Sequence, residues 1–161
     1  MRKFWVKNAL SGLLVSLSWA SLALSSTLET ELLALKEAVQ VSRIEQDITT
    51  LAGFGTRHTL SDTQSNERGI GAARRWIEAE FRSISLACGG CLEIQVKGAS
   101  ISGESRIPEA TDVVNVIAIL RGETDPDRYV LMSGDIDSRV SDPMDATSDS
   151  PGANDNASGM A

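Results

Sequence analysis

The stretch that decides the fold is Val113-Val-Asn-Val-Ile-Ala-Ile-Leu120, followed after a turn by Tyr129-Val-Leu-Met-Ser133. Both runs are almost entirely apolar, and the first is rich in β-branched residues. Such a composition is typical of a strand that is buried on both faces. We therefore predict strands at Val113–Leu120 and at Tyr129–Ser133, separated by a turn around Pro126.

Upstream of these strands the apolar residues follow a helical period. This period predicts one helix over Thr27–Leu51 and a second over about Ser65–Ser83, with Ser65 as a plausible N-cap. The alternation at Leu92–Val96 predicts a short, half-buried strand, and Asn154–Ala161 has the pattern of a helix start. Helices followed by buried strands predict an α/β fold in layers, with a mixed sheet.

The size and charge of the chain exclude several classes of protein. With 161 residues it has room for one domain at most, and its hydrophobic content of 42% is that of a globular protein. It carries 15 basic and 22 acidic residues, a formal net charge of −7. This balance argues against a nucleic-acid partner, because binding to phosphates requires a basic face.

The first 25 residues have the pattern of a secretory signal peptide. A basic start with Arg2, Lys3 and Lys7 precedes the apolar run Ala9–Leu24, and small residues follow at the expected cleavage site. The run is short and rich in serine for a membrane anchor, so we predict cleavage and no stable anchor afterwards. Cleavage would remove three positive charges and no negative ones, changing the net charge from −7 to −10. We predict a secreted or periplasmic protein.

The chain has two cysteines, Cys88 and Cys91, in the sequence Cys-Gly-Gly-Cys. This spacing is compatible with a local disulfide, with free thiols or with redox chemistry. An exported protein favours the disulfide. The redox interpretation is opposed by context, since a reactive cysteine usually lies at a helix N-terminus and this pair follows a helix.

Carboxylates are concentrated in the last third of the chain. The segment from Glu123 to Asp155 holds nine acidic and two basic residues. Asp135 and Asp137 leave the end of a predicted strand at positions i and i+2, so their side chains project to the same side. Either this is a solvated acidic loop or the carboxylates hold a cation. An EF-hand is excluded because Arg139 occupies its fifth position.

Two strings in this region carry a family resemblance. Tyr129-Val-Leu-Met-Ser-Gly-Asp-Ile-Asp-Ser138 and Ser150-Pro-Gly-Ala-Asn-Asp-Asn-Ala-Ser-Gly159 resemble the co-catalytic zinc peptidases of family M28, which include secreted bacterial aminopeptidases. The resemblance extends over roughly Ile44–Ala161. It implies a three-layer α/β/α fold with a mixed sheet and a site for two zinc ions. The activity it implies is that of an exported zinc-dependent exopeptidase, which hydrolyses peptide bonds at the N-termini of peptide substrates.

The resemblance also implies roles for three aspartates. Asp155 matches the carboxylate that bridges the two zinc ions, and the peptide bond after this residue is often cis in such enzymes. Asp137 matches the catalytic-site carboxylate that orients a metal ligand. Asp135 stands where the family has a zinc-binding histidine, and we predict that it binds the metal through oxygen. His58, the single histidine, does not match a family ligand, so we predict a structural or solvent-exposed role for it.

The family's later elements do not occur in these 161 residues. They supply a pair of glutamates, a further acidic ligand and a distal histidine. We therefore expect residues 26–161 to be the N-terminal part of a catalytic domain, with a sheet that is incomplete at the C-terminal end and no activity of its own. Within the family, a carboxypeptidase, a cyclase or an inactive homologue also stays open. Outside it, the alternative is a non-enzymatic secreted module whose acidic loop binds a cation.

Overall fold

A computed structural model describes residues 28–161 of the chain. The chain divides into two compact units, Met1–Val41 and Ser42–Ala161. The predicted signal peptide, residues 1–25, lies outside the described residues. In the first unit helix α1 covers residues 28–38, and Leu28, Leu32 and Leu35 on this helix are more than half exposed.

The helix predicted over Thr27–Leu51 is two helices, because residues 39–40 are not helical and α2 begins anew at Val41–Gly53. The apolar pattern contains the reason. The apolar stripe before the break ends at Val39 and the one after it begins at Ile44. This interval of five residues is longer than one helical turn, so in one continuous helix the two sets would not lie on the same face. A single straight helix would direct them to different sides.

Helix α3 covers Gly69–Ala87 and packs with α2 to form the apolar core of the second unit. The core residues Leu51, Ala73 and Ile77 are buried together with Ala157 from the end of the chain. Partly buried side chains surround them, among them Ile48, Phe54, Trp76, Phe81, Val116, Ile136 and Met160. This core therefore joins both helices to the C-terminal segment that carries the acidic residues.

Helix α3 begins four residues later than the predicted Ser65. The Ile70 amide donates to the Ser61 hydroxyl at 2.9 Å, and the Gly71 amide donates to the Asp62 carbonyl at 3.1 Å. The preceding loop therefore caps the helix. This close approach requires glycine at position 71, since a Cβ there would overlap the Thr63 backbone.

The sheet of the described residues is an antiparallel pair, β1 at Leu92–Ile101 and β2 at Thr111–Leu120. Leu92 lies opposite Leu120, and Ile101 lies opposite Thr111. Both predicted strands are confirmed, and both are longer than predicted. Helix α3 packs against the two strands, and β2 is half-buried rather than buried on both faces.

The strand predicted at Tyr129–Ser133 is wrong for these described residues. The segment has no regular secondary structure and pairs with no described strand, and the residues from Tyr129 to Met132 are 79–90% exposed. Apolar, β-branched composition makes a segment suitable for a sheet, but a strand forms only where a neighbour offers its backbone groups.

Helix α3 packed on an antiparallel pair of strands, with α2 in the same core, makes the second unit an α/β structure. Cys88 and Cys91 form a disulfide directly after α3, which confirms the favoured pairing. Within residues 28–161, no helix combines the length and hydrophobicity that a membrane span requires.

Candidate functional site: a cavity lined by carboxylates

The predicted site residues Asp135 and Asp137 lie on a segment without regular secondary structure. Ile136, between them, packs on the apolar core, while the two aspartates on either side are exposed. Exposure therefore alternates from Asp135 to Ser138, the pattern expected where neighbouring side chains point to opposite sides. The prediction that both carboxylates project to the same side is confirmed.

Asp155 comes from the C-terminal segment, where a short 3-10 helix, Ala157–Gly159, follows it. Ala157 is fully buried in the apolar core, and its amide donates to the Gly152 carbonyl at 2.9 Å. The peptide bond between Asp155 and Asn156 is cis, as the family resemblance implied. A tight turn anchored by Ala157 therefore presents the Asp155 side chain to solvent.

The two segments meet at one cavity of about 320 Å³. All three predicted site residues line it. The remaining lining residues follow Asp137 along the chain, and the complete set is Asp135, Asp137, Ser138, Arg139, Val140, Ser141 and Asp155. The structure thus brings together carboxylates that lie up to twenty positions apart in the sequence.

Arg57, which sequence reasoning missed, connects the two segments beneath this cavity. Its side chain is completely buried and donates to four backbone carbonyls. Nε donates to Ile136 at 2.8 Å, and Nη1 donates to Leu51 at 2.8 Å and to Pro151 at 2.6 Å. Nη2 donates to Gly152 at 3.1 Å. Burial lowers the pKa of Arg57, and the negative charge of Asp137 opposes this effect.

Ser138 makes a second connection beside the guanidinium. Its hydroxyl accepts a hydrogen bond from the Arg57 amide at 3.0 Å and donates to the Ser150 carbonyl at 2.6 Å. The Ser138 side chain is buried. Ser150 in turn forms a parallel bridge with Thr56.

His58 confirms the structural role predicted for it, and the solvent-exposed alternative is wrong because the residue is 5% exposed. Nδ1 accepts from the Leu60 amide at 3.0 Å, and Nε2 lies 3.0 Å from the Pro143 carbonyl. These partners assign the neutral tautomer with the proton on Nε2.

These side chains belong to a group of buried polar residues, which we call the polar brace. Three of its members, Arg57, His58 and Ser138, hydrogen-bond to backbone carbonyls of the region that carries the acidic residues. Its members are Thr56, Arg57, His58, Ser61, Ser138 and Ser150. The available signal in the sequence was the polar run at 56–59, directly after a helix; it suggested a loop but gave no partner.

The three carboxylates have the right chemistry for zinc but do not form a complete site. Carboxylate oxygens ligate zinc, and a catalytic zinc takes three protein ligands. Within residues 28–161 no cluster of three or more histidine, cysteine or acidic side chains is close enough to hold a metal ion.

The second unit is thus an α/β structure whose candidate site is a cavity lined by three aspartates. Comparison with known sequences is more specific. Residues 115–161, which contain all three aspartates, match the model of peptidase family M28. The predicted resemblance to this family is confirmed.

The chain is also similar to curated fungal proteins named probable zinc metalloproteases. It is 48% identical to one from Leptosphaeria maculans and 46% identical to one from Pyricularia oryzae. Each of these two matches covers 83% of the present chain. A relative from Pyrenophora teres f. teres is 45% identical over 81% of the chain. The matched region spans 31%, 26% and 27% of these relatives, respectively. No solved structure matches the chain significantly.

Proposed function

We propose that this chain is the site-bearing N-terminal part of an exported, zinc-dependent exopeptidase of the aminopeptidase type. The observation that carries the proposal is the convergence of Asp135, Asp137 and Asp155 on one cavity within the segment that matches family M28. Two of them, Asp155 and Asp135, act as metal ligands in this proposal, and Asp137 orients a ligand. A peptide is the substrate.

In this proposal, the described residues supply only some of the groups that a zinc site requires. A site for two zinc ions requires more ligands than the described residues gather. The relatives are three to four times longer than the matched region. We propose that sequence equivalent to the rest of the relatives supplies the other ligands and the general base. It would also supply the further strands of a three-layer α/β/α fold with a mixed sheet, against which Tyr129–Ser133 would pair.

Zinc binding by the 161-residue chain tests the proposal. We expect weak zinc binding, measured by equilibrium dialysis and elemental analysis, that Asp155→Ala abolishes and Asp135→Ala reduces. Asp142→Ala is the matched control, because this exposed aspartate lies in the same acidic region but does not line the cavity.

Peptidase activity is measured in parallel with a leucyl substrate. We expect no turnover by the chain alone, and chelator-sensitive release of leucine would contradict the proposed division of the site. Zinc binding that is unchanged in Asp155→Ala would contradict the proposed ligand. Stabilisation by calcium together with indifference to zinc would favour the non-enzymatic module instead.

A further inference from the structure

We propose that Arg57 is a positioning residue, which sets where Asp135 and Asp137 stand relative to Asp155. The inference rests on the proposed function only where it takes the cavity to be part of a zinc site. The observation behind it is that one buried guanidinium binds both segments that supply the carboxylates. Ile136, whose carbonyl it binds, is the residue between the first two aspartates.

The second segment is bound close to Asp155. Arg57 holds the carbonyls of Pro151 and Gly152, and the same Gly152 carbonyl accepts from the Ala157 amide. The turn that presents Asp155 is therefore fixed at its start by the guanidinium and at its end by the burial of Ala157. The fourth carbonyl, that of Leu51, ties both segments to the end of helix α2.

The chemistry of the side chain explains why arginine is required. A guanidinium presents five N–H donors in a rigid plane, so it can bind carbonyls from three separate segments at once. A lysine ammonium has three donors at one point and cannot span the same carbonyls. Space is also restricted, because a Cβ at Gly152 would lie 3.0 Å from Nη2 and closer still to Ser138.

The test compares Arg57→Lys with Arg68→Lys, since both substitutions keep the charge. Arg68 is a matched control because it also binds the C-terminal region, through the Thr147 carbonyl and Asp149, but its side chain is 44% exposed. Amide hydrogen exchange by NMR reports on Ser150 and Ala157, whose amides donate to Gly55 and Gly152.

In Arg57→Lys we expect the exchange of the Ser150 and Ala157 amides to rise about tenfold or more, the factor for losing one hydrogen bond from a charged group. Amides in the middle of α3 should change much less. Arg68→Lys should alter all of these amides by about twofold or less, because exposed ion pairs contribute little.

A spectroscopic readout separates positioning from stability alone. The ¹³C carboxyl resonances of Asp137 and Asp155 should move in Arg57→Lys and stay in place in Arg68→Lys. Unchanged resonances together with unchanged exchange at Ser150 and Ala157 would overturn the proposal. Exchange that rises equally in α3 would also overturn it, since Arg57 would then stabilise only the unit as a whole.

Ser138→Ala keeps the test decisive if Arg57→Lys does not fold. This substitution removes the hydrogen bonds of the Ser138 hydroxyl to the Arg57 amide and the Ser150 carbonyl without leaving a buried charge. We expect a smaller rise in exchange at the Ser150 and Ala157 amides. Ser85→Ala is its control, because the Ser85 hydroxyl also accepts from and donates to backbone groups, those of Leu92. Equal exchange at Ser150 and Ala157 in the two serine variants would contradict the proposal that Arg57 and Ser138 hold the two segments in place.

The zinc measurement on the unsubstituted chain separates this inference from the proposed function. A chain that binds no zinc but whose carboxyl resonances depend on Arg57 would contradict the proposed metal site and support the positioning role. Zinc binding that is identical in the unsubstituted chain and in a folded Arg57→Lys would support the metal site and contradict the positioning role.

Discussion

The apolar core and the polar brace are both buried, yet they are built differently. The core consists of side chains from α2, α3 and the C-terminal turn that contact each other without directional bonds. The brace consists of polar side chains whose partners are mostly backbone groups, some of them nearly a hundred positions away, as for Arg57 and Gly152. Leu51 connects the two, since its side chain lies in the core and its carbonyl accepts from Arg57.

This difference indicates that the core stabilises the unit, whereas the polar brace positions the segments around the cavity. Burial of apolar surface is non-directional, so the core can hold the elements together but does not fix a loop to within a fraction of an ångström. Hydrogen bonds depend on distance and angle, and those of Arg57 and Ser138 connect the Asp135–Ser138 segment to the turn before Asp155. Stability of the unit and geometry of the cavity should respond to different substitutions.

The largest effect should come from the core. Ile77→Ala removes a buried side chain at the centre of the apolar cluster, and we expect the free energy of unfolding to fall by about 2–5 kcal/mol. Urea denaturation measures the change, and the loss should affect the whole second unit at once. Ile84→Ala is the control, because Ile84 lies on the same helix but is 48% exposed. Equal losses in the two variants would contradict the position assigned to the core.

An intermediate effect should come from the brace. His58→Ala leaves the Leu60 amide and the Pro143 carbonyl without their partner, at a cost of about 1–3 kcal/mol. His58→Asn is the matched variant, since its side-chain oxygen can still accept from the Leu60 amide, and it should recover part of the loss. If asparagine were no better than alanine, the bond to Nδ1 would not be the contact that stabilises this loop.

The smallest effect should appear as a dependence on pH in the loop between the two segments. Hydrogen bonds from Ser148 and Thr147 lower the pKa of Asp145 well below its ordinary value of 3.8. A lowered folded-state pKa means that this stabilisation is present above about 3.8 and is lost as the pH falls below it. We expect the Ser148 amide to exchange faster, relative to an unstructured peptide, at pH 2.5 than at pH 5.

Asp145→Asn should remove this pH dependence at Ser148 while leaving the amides of α3 unchanged. Asp142→Asn is the comparison variant, because Asp142 accepts from the Met144 amide in the same loop but has no contact with Ser148. A pH dependence at Ser148 that survives in Asp145→Asn would assign the effect to another group.

The apolar elements were predictable from the sequence because their periods report directly on burial. Both strands of the hairpin and most of the helical residues follow from these patterns. The helix predicted over Thr27–Leu51 is interrupted at residues 39–40, and α3 begins later than predicted because the preceding loop caps it through Ser61. The strand at Tyr129–Ser133 failed because pairing depends on a neighbour, which composition does not reveal. The three aspartates were predictable from their spacing and from the family resemblance.

The sequence by itself determined the α/β class and the common side to which Asp135 and Asp137 project, and it favoured the local disulfide, because each depends on residues close together in the chain. Only the tertiary structure decided that Asp155 lines the same cavity as the other two aspartates. It also decided that Arg57 and Ser138 are buried between the two segments. The physical reason is that these contacts join positions far apart in the sequence through backbone carbonyls, which every residue possesses and no pattern of side chains identifies.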